Sequence, residues 1–345
     1  MKLSNFDYHL PQELIALYPP EDRPSAKLLC VDRNTGERTH RIFRDVSDLL
    51  QPGDLLVLND TKVIPARLFA RKETGGQVEA FLIKRLGDRR WEVLLRPGRR
   101  VKKGAKLLLS GDGLQKHAVV LDDGREDSCQ RILEFAEDCS FEDLKVLGHI
   151  PLPPYINRPD EPRDREVYQT VFAREEGAVA SPTAGLHFDQ PLLTQLKAKG
   201  VEVVTVTLHV GYGTFQTIPV EELSEHQMFE EAFELTESAA DRINLARREK
   251  RRIIACGTTV VRTLESCADA SGQVRPQQGS TRLFIYPSYE FKVPSGMITN
   301  FHLPKSSLLL LVAAFLGWDK TRAAYEEAVR QQYRFYSYGD AMLIL

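Results

Sequence analysis

Several short polar clusters in the sequence carry side chains fit for proton transfer and for holding charged or planar groups. Asn59-Asp60-Thr61-Lys62 offers an amide, a carboxylate, a hydroxyl and an ammonium in succession. Ser181 to Phe188 is a small-residue loop that includes Thr183, Gly185 and His187. Thr207-Leu208-His209 sets a second histidine near a strand end, and Gly211-Tyr212-Gly213-Thr214-Phe215 follows at once. Gly257-Thr258-Thr259 separates a strand from a helix, where free N–H groups can hold an anion, and Arg262 lies one turn further on. Asn300 and His302 precede another helix, and Tyr338 and Asp340 precede the last strand. Histidine suits acid–base work because it titrates near neutral pH. Each cluster also has a plainer use: Gly-Thr-Thr is often only a helix cap, and a loop histidine often only a hydrogen-bonding residue.

The same residues exclude several classes. There is no P-loop and no G-x-G-x-x-G; Gly211 to Phe215 lacks a third glycine, and Pro219 interrupts any following helix. No Cys/His cluster has metal-ligand spacing, so no metal is expected. The cysteines Cys30, Cys129, Cys139, Cys256 and Cys267 include no C-x-x-C pair, and their odd number argues against a full disulfide framework. Met1 to Asp7 lacks the apolar core of a signal peptide. The longest apolar run, Leu308 to Leu316, has nine residues, against the roughly 20 that a bilayer requires. A cytoplasmic location is expected, with no membrane partner.

Behind these clusters stand two kinds of pattern. The 345 residues allow about two domains, and apolar (42%) and charged (27%) content are those of a globular chain. From about Arg67 to Phe135 the segments are short and strand-like: Val78–Lys84, Trp91–Arg96, Lys106–Leu109, Lys116–Leu121 and Arg131–Phe135. Turns at Gly75-Gly76, Gly87-Asp88, Pro97-Gly98, Gly111-Asp112-Gly113 and Asp122-Asp123-Gly124 punctuate them, as in a small antiparallel barrel or sandwich.

Elsewhere strands alternate with helices. Strands are predicted over Asp54–Leu58, Val201–Val210, Arg252–Cys256 and Thr281–Tyr286. Helices are predicted over Pro191–Lys199, Glu237–Lys250 with Thr236 as N-cap, Thr259–Ala268, Ser307–Phe315 and Thr321–Tyr333. That alternation argues for an α/β layer with a largely parallel sheet. The expected architecture is a discontinuous domain, 1–66 with 149–345, interrupted by a β-barrel insertion at 67–148. The proline-rich run from Gly148 to Pro154 is read as the return linker.

Net charge is −2, but it is unevenly spread. Between Lys62 and Ser110 there are 14 Lys and Arg against 4 Asp and Glu; between Gly111 and Lys145 there are 4 against 10. The basic stretch is either a solvated face or one that tracks phosphates.

The clusters together resemble a known family. Val57-Leu58-Asn59-Asp60-Thr61-Lys62-Val63-Ile64-Pro65-Ala66-Arg67, Gly148-His149-Ile150-Pro151-Leu152-Pro153-Pro154 and Pro182-Thr183-Ala184-Gly185-Leu186-His187-Phe188 match its signatures in order. So do His209-Val210-Gly211-Tyr212-Gly213-Thr214-Phe215, Gly257-Thr258-Thr259-Val260-Val261-Arg262, Thr299-Asn300-Phe301-His302-Leu303-Pro304-Lys305 and Tyr338-Gly339-Asp340-Ala341-Met342. The chain resembles the S-adenosylmethionine:tRNA ribosyltransferase-isomerases of queuosine biosynthesis from Phe6 onward. Two positions depart from the pattern. Phe229 stands where the resemblance leads one to expect a histidine, and Ser181 where an alanine is usual.

The resemblance implies a mixed α/β fold, a large barrel-like domain interrupted by a small antiparallel β-barrel. It implies transfer and isomerisation of the ribosyl moiety of S-adenosylmethionine onto 7-aminomethyl-7-deazaguanine at the wobble position of tRNAs with GUN anticodons. The products would be epoxyqueuosine-tRNA, adenine and methionine. No cofactor is implied, since S-adenosylmethionine is consumed as a substrate, and the chain is expected to act as a monomer. His187, His209 and His302 are then candidates for acid, base or adenine contact. Asp340 or Asp60 would accept from the donor edge of the deazaguanine, while Tyr212, Phe215 and Tyr338 would stack on it. Thr258, Thr259 and Arg262 would hold the methionine carboxylate or a tRNA phosphate. Asn59, Thr61, Lys62, Arg67, Thr183, Gly185, Gly211, Gly213, Thr214 and Asn300 complete the expected substrate site. Arg99, Arg100, Lys102 and Lys103 are expected to meet tRNA. Two other readings compete: an inactive RNA-binding paralogue, hinted at by Phe229, and a methyltransferase, which the missing glycine-rich strand–helix turn disfavours.

Overall fold

Leu55–Asn59, Ile253–Cys256 and Gly296–Asn300 are buried at every position. Unbroken burial of this kind belongs to central strands covered on both faces. The computed structural model describes residues 1–87, 89–121 and 129–345. It divides the chain into two units: Met1–Thr61 with Val167–Glu175 and Ser181–Leu345, and Lys62–Glu166 with Glu176–Ala180.

In the larger unit these strands lie inside a nine-stranded sheet. Its middle is parallel: Glu202–Leu208, Leu55–Asn59, Ile253–Cys256 and Gly296–Asn300, in that order. Beyond Gly296–Asn300 come Ala341–Ile344, antiparallel to it, then Lys27–Val31, parallel to Ala341–Ile344, and Arg38–Ile42, antiparallel again. On the other side Glu231–Leu235 and Gln277–Thr281 add antiparallel strands. The sheet is therefore mixed rather than largely parallel. One reason is the turn at Asp32 to Glu37, whose Asp32 carboxylate accepts from the N–H groups of Asn34 and Thr35. So short a connection permits only antiparallel return, since a parallel crossover takes a dozen or more residues. Arg38–Ile42 and Gln277–Thr281 stand at the two ends of this strand order.

Helices cover this sheet where local signals start them. Asp189, Thr236 and Ser306 cap Gln190–Ala198, Glu237–Arg248 and Ser307–Leu316, each accepting from a backbone N–H in the first turn. Thr258–Cys267 follows Gly257, whose φ of +95° an L side chain would resist. The apolar run expected as a strand at Thr281–Tyr286 does something else. Gln277–Thr281 is the strand, and Phe284 and Tyr286 pack beyond it against a cluster of Leu3, Phe6 and Leu223.

The smaller unit is a closed antiparallel barrel. Its six strands run in the order Arg67–Lys72, Gln77–Arg85, Arg90–Arg96, Gln130–Phe135, Leu114–Leu121 and Lys106–Gly111, and Ala70 opposite Leu109 closes the ring. Alternation sets the inside: Leu68 and Ala70, Val78 and Ala80, Trp91 and Val93, and Leu107 and Leu109 are buried. The turn residue Asp88 and residues 122–128, with the Asp122-Asp123-Gly124 turn, lie outside the described residues, as does the side chain of Arg99.

The sequence reading placed the insertion at 67–148, whereas the unit runs on through Glu166. Carboxylates hold the proline-rich return segment there. Asp160 accepts from Ile150 N–H and meets His149 Nδ1 at 2.8 Å, and Asp164 takes both Nη groups of Arg158 at 2.7 and 2.8 Å.

Candidate active site

The parallel order of the middle strands brings distant clusters to one sheet edge. Asn59 ends its strand, and His209, Gly257 and His302 follow the carboxyl ends of the other middle strands of the sheet. Asp340 joins them because Ala341–Ile344 runs antiparallel, with Ala341 opposite Asn300. Ligands in open α/β sheets collect at such edges.

Asn59 ties the edge together. Its Nδ2 donates to the Leu208 carbonyl at 3.0 Å and to Thr259 Oγ1 at 3.2 Å, and its Oδ1 accepts from Leu208 and Thr61 N–H. Asp60 is equally occupied, accepting from Thr207 Oγ1 at 2.7 Å and from Arg174 at 2.9 Å. Thr61 Oγ1 holds His209 Nδ1 at 2.8 Å. Burial lowers the His209 pKa, and the carboxylates of Asp60, Glu175 and Glu234 oppose that shift. A neutral imidazole with one nitrogen fixed and carboxylates nearby is arranged to take up a proton.

Next to this network lies a cleft of about 800 Å³, counting the part open to solvent. Among the expected residues Thr183, Gly213, Thr214, Thr258, Thr259, Arg262, Asn300 and His302 line it. Thr299 Oγ1 lies 2.8 Å from His302 Nε2, while Tyr8 and Tyr325 hydroxyls hold the His302 backbone. Burial pulls His302 down to about 3. His187 stands outside the cleft, its ring against Phe43, and is also lowered to about 3 by burial and by the charges of Arg334 and Arg23. Asn300 Nδ2 donates to the Tyr336 carbonyl and lies 3.3 Å from His187 Nε2, so that nitrogen is an acceptor. His187 thereby holds the amide of Asn300, which lines the cleft.

Sequence reasoning missed Glu231. This buried carboxylate accepts from Gly211 N–H at 2.8 Å, pairs with Arg262 Nη1, and lines the cleft. Arg262 Nε donates to the Leu283 carbonyl, and Nη2 is buried without a hydrogen-bond partner among the described residues. The Ser181 hydroxyl is buried in the same condition, also on the cleft. Phe229, noted in the sequence only as a departure, lines the cleft too. The signal for Glu231 was its place in His226-Gln227-Met228-Phe229-Glu230-Glu231, the stretch in which Phe229 stands for the histidine that the resemblance leads one to expect.

Other expected contacts are placed differently. Asp340 is buried with its oxygens accepting from the N–H groups of Lys27 and Arg334, and burial raises its pKa. It ties chain segments together instead of facing a base. Tyr338 is buried with its ring 5.8 Å from that of Tyr168, so it offers no stacking face. Gly185 is packed so closely that a Cβ would meet Phe172 and Thr170. Tyr212 and Phe215 remain partly exposed, edge to face at 6.4 Å. Lys62 and Arg67 belong to the barrel unit, paired with Glu176 and Glu79. Arg100, Lys102 and Lys103 are exposed on that unit.

A family model described as queuosine biosynthesis protein matches residues 3–344. The chain belongs to this queuosine biosynthesis family. It is 52% identical over the full length of both chains to an S-adenosylmethionine:tRNA ribosyltransferase-isomerase from Carboxydothermus hydrogenoformans. To the protein of that name from Symbiobacterium thermophilum it is 50% identical, again over both full lengths. It is similar as well to the crystal structure of the S-adenosylmethionine tRNA ribosyltransferase of Thermotoga maritima, with 41% identity, 99% of each chain covered and a TM-score of 0.56. The residues that this family member gathers at its strand ends come from stretches separated by up to about three hundred positions. Among its described residues no helix is long and apolar enough to cross a membrane, and no group of His, Cys, Asp and Glu could hold a metal ion.

Proposed function

We propose that this chain transfers and isomerises the ribosyl moiety of S-adenosylmethionine onto 7-aminomethyl-7-deazaguanine at the wobble position of GUN-anticodon tRNA. The products are epoxyqueuosine-tRNA, adenine and methionine, and the chain acts as a cytoplasmic monomer; sedimentation at the mass of one chain checks the last point. The observation that carries this reading is the cleft at the carboxyl ends of the parallel strands, with a neutral histidine network beside it.

A sulfonium acidifies the neighbouring C5′ protons and makes methionine a good leaving group. His209, held by Thr61, takes a C5′ proton, and the nearby carboxylates stabilise the imidazolium that forms. The bond to adenine then breaks, and His302, on the cleft wall, contacts the departing base. The aminomethyl nitrogen bonds to the ribosyl carbon and gives up a proton to solvent, and a ribosyl oxygen closes the epoxide by displacing methionine from the carbon that bears the sulfonium. Arg262 Nη2 and the N–H groups at Thr258 and Thr259 hold the methionine carboxylate.

The test is adenine release from S-adenosylmethionine and an anticodon stem-loop bearing the deazaguanine. Wild-type protein should release adenine, and His209→Ala should lower kcat by about 10²–10⁴-fold with an unchanged fold. Release of S-adenosylhomocysteine instead would point to methyl transfer, and His209→Ala at full rate would remove the proposed base.

A further inference from the structure

We propose that Phe229 is the platform on which a purine-type base of the substrates stacks within the cleft. The inference rests on the function proposed above and goes beyond it by naming the residue that receives a flat ring.

A large aromatic ring that is 54% exposed calls for a reason, and this one lies on the cleft wall. The Gly213 loop packs against one side of the ring. A Cβ added at Gly213 would come within 2.4 to 2.6 Å of three Phe229 side-chain carbons, so only glycine lets the loop approach so closely. That loop is anchored in turn, since Gly211 donates to Glu231, two residues along the chain from Phe229. Phe229 is thus held on one side by the Gly213 backbone and left open elsewhere, on a wall that also carries Met228, Phe284 and Ile285. A rigid aromatic surface open to a cleft is suited to stacking, which accepts any base because every base has a π-face. Of the three expected stacking residues Tyr338 is buried, and Tyr212 and Phe215 are not among the residues that line the cleft, whereas Phe229 is. Adenine of the donor and deazaguanine of the tRNA share the required chemistry.

Phe229→Trp provides a reporter read against the two native tryptophans, Trp91 and Trp318. Its extra emission should be quenched on adding S-adenosylmethionine alone or the stem-loop alone. Quenching by the first assigns adenine and by the second deazaguanine, whether or not turnover is measured. In parallel, Phe229→Ala should weaken binding of that same ligand by about 10–100-fold, while Phe229→His, which keeps a flat ring, should retain most of it. No quenching by either ligand, or Phe229→Leu binding both as tightly as wild type, overturns the proposal. If wild-type protein binds both ligands yet releases no adenine, the proposed function fails while the stacking result still stands or falls alone.

Discussion

Arg262 of the larger unit is 6% exposed and faces Glu231, which is 5% exposed, whereas Arg100 and Lys102 of the barrel unit stand in water. In the larger unit polar groups answer one another: Asn59, Asp60, Asn300 and Asp340 have their hydrogen-bonding capacity taken up by neighbours. Two of the groups left open there, Arg262 Nη2 and the Ser181 hydroxyl, line one cleft. On the barrel unit Arg100 and Lys102 have no ion-pair partner among the described residues. Burial and pairing fix geometry to fractions of an ångström, which a reaction at one carbon requires. Exposed, unpaired cations fix little but attract a polyanion over a distance set by salt.

That difference can be broken most forcefully at Arg262. Arg262→Ala leaves Glu231 buried without its partner, and such a loss costs about 3–5 kcal/mol. Denaturant unfolding should show it, with little dependence on salt. Replacing both, Arg262→Met with Glu231→Gln, should recover much of that stability but not S-adenosylmethionine binding. Tight binding by the double variant would show that Arg262 serves the fold alone.

Buried histidines give the next effect. His187 and His302 hold pKa values of about 3 in the folded chain, against roughly 6.5 when unfolded. Between these values the unfolded chain binds more protons, so stability falls as pH drops from about 6.5 toward 3. Each histidine contributes about 1.4 kcal/mol per pH unit to that slope. Urea midpoints at pH 7, 6, 5 and 4 should therefore fall less steeply in His187→Gln and His302→Gln than in wild type. Parallel slopes in all three proteins would mean that neither ring is kept neutral by burial.

What could be read in the sequence divides along the same physical line. Barrel strands were legible from alternation, and helix Glu237–Arg248 from Thr236 and its period, because those signals are local. The Lys27–Val31 and Glu231–Leu235 strands were not, since Leu28 and Leu29 lie adjacent and both buried, and Glu231 is charged yet buried. Thr281–Tyr286 misled because its apolar residues face a cleft and a small cluster instead of a sheet. Candidate residues could be named, but their roles depend on partners far along the chain. Asp340 ties down Lys27, 313 positions away, and Glu231 answers Arg262 at 31. Type and spacing identify groups able to do chemistry; only the fold shows which of them are already engaged.

The smallest effect belongs to the exposed cations. Reversing Arg100 and Lys102 to Glu should leave the unfolding midpoint within about 0.5 kcal/mol of wild type, as surface changes usually do. It should weaken tRNA binding at low salt and reduce the slope of log affinity against log salt by about 1.5–2, because two phosphate contacts no longer release counterions. The two proteins should then converge as salt rises, with S-adenosylmethionine binding unchanged throughout. An unaltered salt slope would place the tRNA phosphates on some other surface. A loss of S-adenosylmethionine binding would show instead that these cations bear on the donor site, and the contrast between buried and exposed charge would then fail at its weaker end.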